Sequence, residues 1–344
     1  MPITILDIAK ASGKSYPTVS RALNNHPKIS TKTTAEIKKI ALEMGYRPSF
    51  AGTMLKSGKT NIISVIVPTL ANPFYAKLVR SIEERAFLES YNTVIYDFDL
   101  NPELERKYLD RMLTRCCDGI ITSLSSFEHV SGIFHKLWES RLPCVIFGPP
   151  SNGAGIKYDA ITVKMPDVIG HLIEYGHRNI IVATGFLQQE LLNERIKGYF
   201  AEFKKNGLAF IQEKNVITSA KSSGCEAEDG WRCGKEIFSK PLNATAIVCA
   251  NDYFAFGLIK AALDAGIKVP EDISIIGNDN IWVGKYSPVT MTTIDQNLDQ
   301  VAEEALKIIF KRLEDKNWEN PEHVAVEGKL IIRESSGSKL SKPR

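Results

Sequence analysis

The stretch DIAKASGKSYPTVSRALNNHPKIS, Asp7 to Ser30, decides the N-terminal fold, because two short helical patterns meet in it on either side of Gly13. The first follows Thr4 as N-cap, places Leu6, Ile8 and Ala9 inward and stops at Gly13. The second starts at Ser15, a residue suited to an N-cap, with Val19, Ala22 and Leu23 apolar and Tyr16, Pro17, Thr18 and Arg21 on the other faces. Pro17 is admissible because it falls in the first turn, where backbone N–H groups have no intrahelical partner. A third pattern runs from Ser30 or Thr31 to Met44, with Ile37, Ile40, Ala41 and Met44 at the spacing of one buried face, and ends at Gly45. Two helices joined by a tight glycine-containing turn and braced by a third predict an all-α helix-turn-helix head.

Charge sets this head apart from the rest of the chain. The 344 residues are 44% hydrophobic and 24% charged, the balance of a globular protein of two or three domains, which excludes disorder and a collagen-like fibre. Residues 1–60 hold 10 Lys and Arg against 3 Asp and Glu, and the remainder holds 33 against 37, so the net +3 divides into +7 and −4. Such asymmetry points to a nucleic-acid-binding head on a near-neutral body, with a solvated basic surface as the alternative.

From Asn61 the pattern changes to strands alternating with helices. Candidate strands are 62–68, 93–99, 118–124, 143–148, 179–185, 245–251 and 272–279, and amphipathic segments such as Ala76 to Glu89, Glu103 to Cys116, Leu191 to Asn206 and Tyr253 to Ala265 lie between them. Apolar strands connected by helices imply parallel sheets, and about 280 residues exceed one typical domain. Two doubly wound α/β lobes are therefore expected, divided near the short strand at 160–163.

Phosphate-cradling and catalytic motifs are absent: there is no G-x-x-x-x-G-K-[ST], G-x-S-x-G or H-E-x-x-H, and no G-x-G-x-x-G after the first strand. His171 and His177 stand six apart, which is not metal-ligand spacing, and read as structural or solvent-facing. The six cysteines, Cys116, Cys117, Cys144, Cys225, Cys233 and Cys249, are scattered and read as small apolar residues. Adjacent Cys116 and Cys117 do not easily point at one ordinary tetrahedral site, so neither metal nor cofactor is expected. The first residues lack a signal-type apolar core and no stretch approaches the ~20 residues of a membrane span, so a cytoplasmic protein without a membrane partner is expected. Binding without turnover fits this inventory better than an enzyme.

Asp7 to Ser30 closely resembles the DNA-binding head of the LacI/GalR family of bacterial transcription regulators. TKTTAEIKKIALEMGYRPS, NIISVIVPTLANPFYAKLVRSIEERA, DGII, YGHRNIIVATG, NERIKGYF, ANDYFAFGLIKAALDAGIKVPEDISIIGNDN, MTTIDQN and LIIRESS continue the likeness in order along the chain. The resemblance implies a head over 1–47, a hinge over 48–60, and a body over 61–344. That body would be like the periplasmic sugar-binding proteins, its chain recrossing between lobes near 280–295 and 315–325. It also implies a homodimer on double-stranded, pseudo-palindromic operator DNA, with a repressor's role. Arg21 is placed to donate bidentately to guanine, with Tyr16 and Pro17 at the positions that vary most with operator sequence. Thr4, Ser15, Thr18, Asn24 and Ser30 match positions that hydrogen-bond phosphates, which is compatible with capping by Thr4, Ser15 and Ser30. Leu55 matches the hinge leucine that wedges into the minor groove. Gly52 and Thr53 replace the more usual Ala and Arg, which predicts a hinge harder to order and weaker or more effector-dependent operator binding.

The resemblance further implies a small-molecule effector between the lobes, with Asn72, Phe74, Tyr75, Arg195, Asn251, Asp279 and Gln296 as candidate contacts. Their chemistry suits a sugar, with a nucleobase as the alternative. Asp252 is expected to cap the helix from Tyr253, and Phe74 and Tyr75 read equally well as core. Departures cluster here: Pro149 and Pro150 follow the fourth strand, Cys225 stands near an expected aromatic, and Asn280 stands where Asp is common. The tail GSKLSKPR has no leucine heptad, so a dimer rather than a tetramer is expected.

Overall fold

A computed structural model describes residues 3–47, 58–124, 130–148, 156–184, 190–218, 226–241, 243–315 and 317–336, without the side chains of 190–195. The chain divides into two compact units, residues 1–60 and 61–344. Leu55, Gly52 and Thr53 lie outside the described residues.

In the first unit, α1 (Ile5–Ser12), α2 (Tyr16–Leu23) and α3 (Thr31–Glu43) close around Ile8, Val19, Ala22, Ile37 and Ala41. Thr4 and Asp7 form a reciprocal cap on α1, the Asp7 carboxylate accepting from the Thr4 N–H at 2.9 Å, and Gly13 at φ 62° ends the helix in the left-handed region. Leu6 corrects the sequence reading: it is 59% exposed. Ile5, Ile8 and Ala9 already occupy the inward i, i+3, i+4 positions, and Leu6 stands about 100° around the helix from Ile5. Ser15 is at the N-cap of α2 but bonds no backbone N–H; its hydroxyl pairs with the Thr18 hydroxyl at 2.9 Å.

The second unit opens with β1 (Ile62–Val67), α4 (Pro73–Leu88), β2 (Asn92–Asp97), α5 (Pro102–Met112), β3 (Gly119–Thr122), α6 (Ser131–Glu139), β4 (Cys144–Phe147) and β5 (Asp159–Lys164). Next come α7 (Val168–Glu174), β6 (Ile180–Thr184), α8 (Glu190–Lys205), α9 (Gln212–Asn215), β7 (Val216–Thr218), α10 (Ala227–Phe238), β8 (Ala246–Cys249), α11 (Asp252–Asp264) and β9 (Ser274–Ile276). Then β10 (Thr293–Asp295), α12 (Leu298–Glu314), β11 (His323–Glu327) and β12 (Lys329–Ile331) lead to the C-terminal region. One sheet has the order β11-β5-β4-β3-β1-β2 and the other β7-β6-β8-β9, with every pairing in both parallel; β10 and β12 form a small antiparallel pair. β5 lies within the first sheet, so the chain passes to the second only after Lys164. It returns with α12, which packs on α4 and the first sheet, and leaves again after β11.

Burial explains the strand composition. Core side chains fill both faces of each sheet, Ile63, Val65 and Ile121 on one face of the first and Ile66, Ile120 and Ile146 on the other. A buried ion pair ties the return crossing to the first sheet: Arg312 donates to Asp159 at 2.7 and 3.1 Å, and Asp159 also accepts from the Glu322 N–H at 2.7 Å. The Arg312 guanidinium also lies 4.7 Å from the Trp318 ring centroid. His171 and His177 are both buried. His177 bonds Thr245 and Ser274 through its two ring nitrogens, each at 3.0 Å, and burial pushes its pKa down to about 4.

Candidate functional site

In the head, α2 buries Val19 and Ala22 and so turns its other side outward. Ser15, Tyr16, Pro17, Arg21 and Asn24 are all exposed and Thr18 is half-buried. Tyr16 keeps half of its surface in solvent although it is large and aromatic. Such a face combines a forked donor, an aromatic hydroxyl and an apolar ring without any side-chain carboxylate, the set that base edges and phosphates accept. Thr4 and Ser30 both cap, Ser30 accepting from the Thr33 N–H at 3.1 Å, and both remain exposed. The Asn24 amide is turned back onto the Ser20 carbonyl.

In the body, strand order locates the crevice. β1 has β2 on one side and β3 on the other, and β6 is flanked in the same way by β7 and β8. Chain connections diverge at such a point, leaving a cleft at the carboxyl ends of the two central strands. Asn72 follows β1 and Asn251 follows β8, and each is an N-cap: Asn72 Oδ1 accepts from the Phe74 N–H at 3.0 Å and Asn251 Oδ1 from the Phe254 N–H at 2.8 Å. The expected cap at Asp252 is thus corrected, because α11 begins one residue earlier. The two helix starts meet, with the Tyr253 hydroxyl donating to the Ala71 carbonyl at 3.4 Å.

The remaining candidates separate by burial. Phe74 is core, 4% exposed and stacked on Phe147 at 6.1 Å, while Tyr75 is half-buried and edge-on to Phe74. Asp279 and Gln296 are brought together in a buried contact, Gln296 Nε2 donating to Asp279 Oδ1 at 2.6 Å and to Asn278 Oδ1 at 3.3 Å. Arg195 lies within α8, and its side chain is outside the described residues.

Sequence reasoning missed the frame behind this pair. Asp252 accepts from the Thr293 hydroxyl at 2.5 Å and the Ile281 N–H at 2.9 Å, while burial pushes its carboxyl up to about 6. Asn280, standing where Asp is common, accepts from Arg333 at 2.7 Å and donates to Asp295 at 2.9 Å. Also missed were buried polar atoms with no hydrogen-bond partner among the described residues: Thr122 Oγ1, Ser123 Oγ, Thr184 Oγ1 and Asn278 Nδ2. The first three end or follow β3 and β6, and Asn278 lies just beyond β9. Their signal was legible, a hydroxyl closing each apolar run in DGIITS and NIIVAT.

Among the described residues no group of three His, Cys, Asp or Glu is placed to hold a metal ion, and no helix is long and apolar enough to cross a membrane.

Residues 4–49 match the profile of bacterial regulatory proteins of the lacI family, and residues 169–336 match a periplasmic binding protein-like domain. The HTH-type transcriptional regulator DegA of Bacillus subtilis is 31% identical over 347 residues, spanning 98% of each chain. The HTH-type transcriptional repressor PurR of Histophilus somni is 29% identical over 334 residues, 96% of this chain and 98% of that one. The Lac repressor dimer bound to operator and the anti-inducer ONPF superimposes with a TM-score of 0.84 at 20% identity, over 98% of this chain and 99% of that one. The chain therefore belongs to the lacI family of bacterial regulatory proteins, with a DNA-binding helix-turn-helix head and an effector-domain body.

Proposed function

We propose that the protein is a cytoplasmic, dimeric repressor of a pseudo-palindromic operator, released or tightened by a sugar or sugar derivative held between its two lobes. Head 1–47, hinge 48–60 and body 61–344 then have separate tasks. Arg21, Tyr16 and Pro17 read base edges, and Thr4, Ser15, Thr18, Asn24 and Ser30 set register on phosphates. Leu55 would wedge the minor groove at the operator centre.

The observation that carries the effector reading is the set of buried hydroxyls and an amide at the carboxyl ends of β3, β6 and β9 that have no hydrogen-bond partner among the described residues. A buried polar group without a partner costs about 1–3 kcal/mol, so a ligand rich in both donors and acceptors is favoured there. A polyol meets that requirement, with Asp279 accepting from ring hydroxyls, Asn72, Asn251 and Gln296 bordering it and Arg195 donating from α8. A planar heterocycle is less well served because the Phe74 ring is already stacked on Phe147. Coupling results if ligand changes lobe closure and closure sets the separation of the two hinges.

A thermal-shift screen of sugars, sugar phosphates and nucleobases tests the reading. Ligand at 100 times its dissociation constant stabilises by about 2.7 kcal/mol. Stabilisation by a sugar, with a changed operator affinity in its presence, is the expected result. Stabilisation by nucleobases alone overturns the sugar assignment.

A further inference from the structure

Far from the crevice, at the amino end of β3, three sulfur atoms gather. Met112 closes α5, the backbone turns back at Arg115 (φ 61°), and Cys116 and Cys117 come next. The turn brings both thiols to one thioether: Cys117 Sγ is 3.6 Å and Cys116 Sγ 3.9 Å from Met112 Sδ. Adjacent cysteines do not easily share a tetrahedral site, yet here a third sulfur lies within reach of both.

We propose that Met112, Cys116 and Cys117 form a binding site for a soft monovalent cation of the cuprous type. Three sulfurs bound at about 2.3 Å around one ion in a plane lie about 4 Å apart, close to the two separations present before any ion enters. Thiolate and thioether donors select cuprous ions over the hard divalent cations, which need oxygen ligands. Cys116 is half-buried, which gives the ion a path in, while Met112 and Cys117 are buried and exclude water from the complex. Oxidation of the pair is the poorer alternative: neighbouring Cα atoms are about 3.8 Å apart, below the usual range of about 4.4–6.8 Å for a disulfide.

The chemistry balances without a redox step. One cuprous ion replaces two thiol protons, which pass to solvent, and the thioether adds as a neutral donor. The site also adjoins the point where the body begins. Asp118, next to Cys117, accepts from the Asn61 N–H at 2.8 Å, and Asn61 is the first residue of the second unit.

The test uses the reduced full-length protein under nitrogen, with Cu(I) supplied as its bathocuproine disulfonate complex, whose visible absorbance falls as the ion transfers. One ion per chain is expected, with a copper-edge absorption spectrum showing sulfur neighbours only. Cys116→Ser, at a half-buried position, should fold normally by circular dichroism and lose this uptake. Cys117→Ala should lose it as well, and Met112→Leu should hold the ion at least tenfold more weakly. No transfer to the wild type overturns the proposal, as does unchanged uptake by folded Cys116→Ser. Unchanged affinity in Met112→Leu overturns the three-sulfur site.

Discussion

The head and the body place their chemistry in opposite ways. The head closes on five buried side chains among its described residues and turns Tyr16, Pro17 and Arg21 outward on one eight-residue helix, so each stands where its own backbone puts it. The body places polar residues at strand ends, and several are positioned by partners distant in sequence: Gln296 on Asp279, Arg333 on Asn280, Tyr253 on Ala71. A surface for a polyanion needs exposure, because counterions must leave and phosphates must approach. A site for a small polar molecule needs enclosure and preset partners. One consequence is that damage should stay within the unit where it is made.

The largest expected effect is in the body. Asp159→Ala leaves the buried Arg312 with only the Glu322 carboxylate at 3.5 Å and the Asn320 carbonyl at 2.9 Å and should cost about 3 kcal/mol. Urea unfolding followed by tryptophan fluorescence measures it, since Trp138 and Trp318 surround that arginine. Hydrogen exchange in α1 to α3 should be unchanged; equal loss of protection in the head would erase the contrast between the units.

Next comes pH. The pKa of His177 is pushed down to about 4, and it contributes stability that is complete above its unfolded value of 6.5 and is lost as pH falls towards 4. The destabilisation caused by His177→Gln should therefore shrink by about 2 kcal/mol between pH 7 and pH 5. Glu202 works in the opposite sense, because burial pushes its carboxyl up to about 7 where it accepts from the Ile169 N–H. Its stability is present at low pH and is lost as pH rises through 7. Glu202→Gln should thus gain on the wild type at pH 8 and not at pH 4, a reversal that urea titrations at the two pH values would show.

In the head, Arg21→Ala should reduce discrimination between cognate and altered operators by about 1–3 kcal/mol, read by competition gel shifts, without lowering the thermal midpoint of the body. The smallest effect is expected from Ser30→Ala, which removes the cap on α3 and should cost about 1 kcal/mol of head stability. Amide exchange in α3 would report it, and operator binding should weaken evenly across sequences.

The same contrast governs what was legible in the sequence. Thr4, Ser30 and the faces of α2 and α3 depend on neighbours three or four residues away, so spacing sufficed; Leu6 failed because Ile5 competed for the same inward position. In the body, β1 to β6, β8 and β9 and the helices α4, α5, α8 and α11 were legible from apolar runs and amphipathic spacing, the short strands β7, β10, β11 and β12 were not, and the resemblance supplied the crevice. The Asp279–Gln296 contact and the core packing of Phe74 on Phe147 depend on strand order, which no local pattern encodes. Asp252 misled for a related reason: its carboxylate is drawn to Thr293 and Ile281 across the fold, leaving the cap to Asn251.

The most direct measurement is selection from a randomised duplex pool by the full-length protein, with salt-dependent binding then measured on the enriched sequence. A regulator with this head should enrich two inverted half-sites, bound far more tightly than a scrambled duplex, with an affinity that falls steeply as salt rises. A pool that enriches no motif, or binding indifferent to sequence, would contradict it.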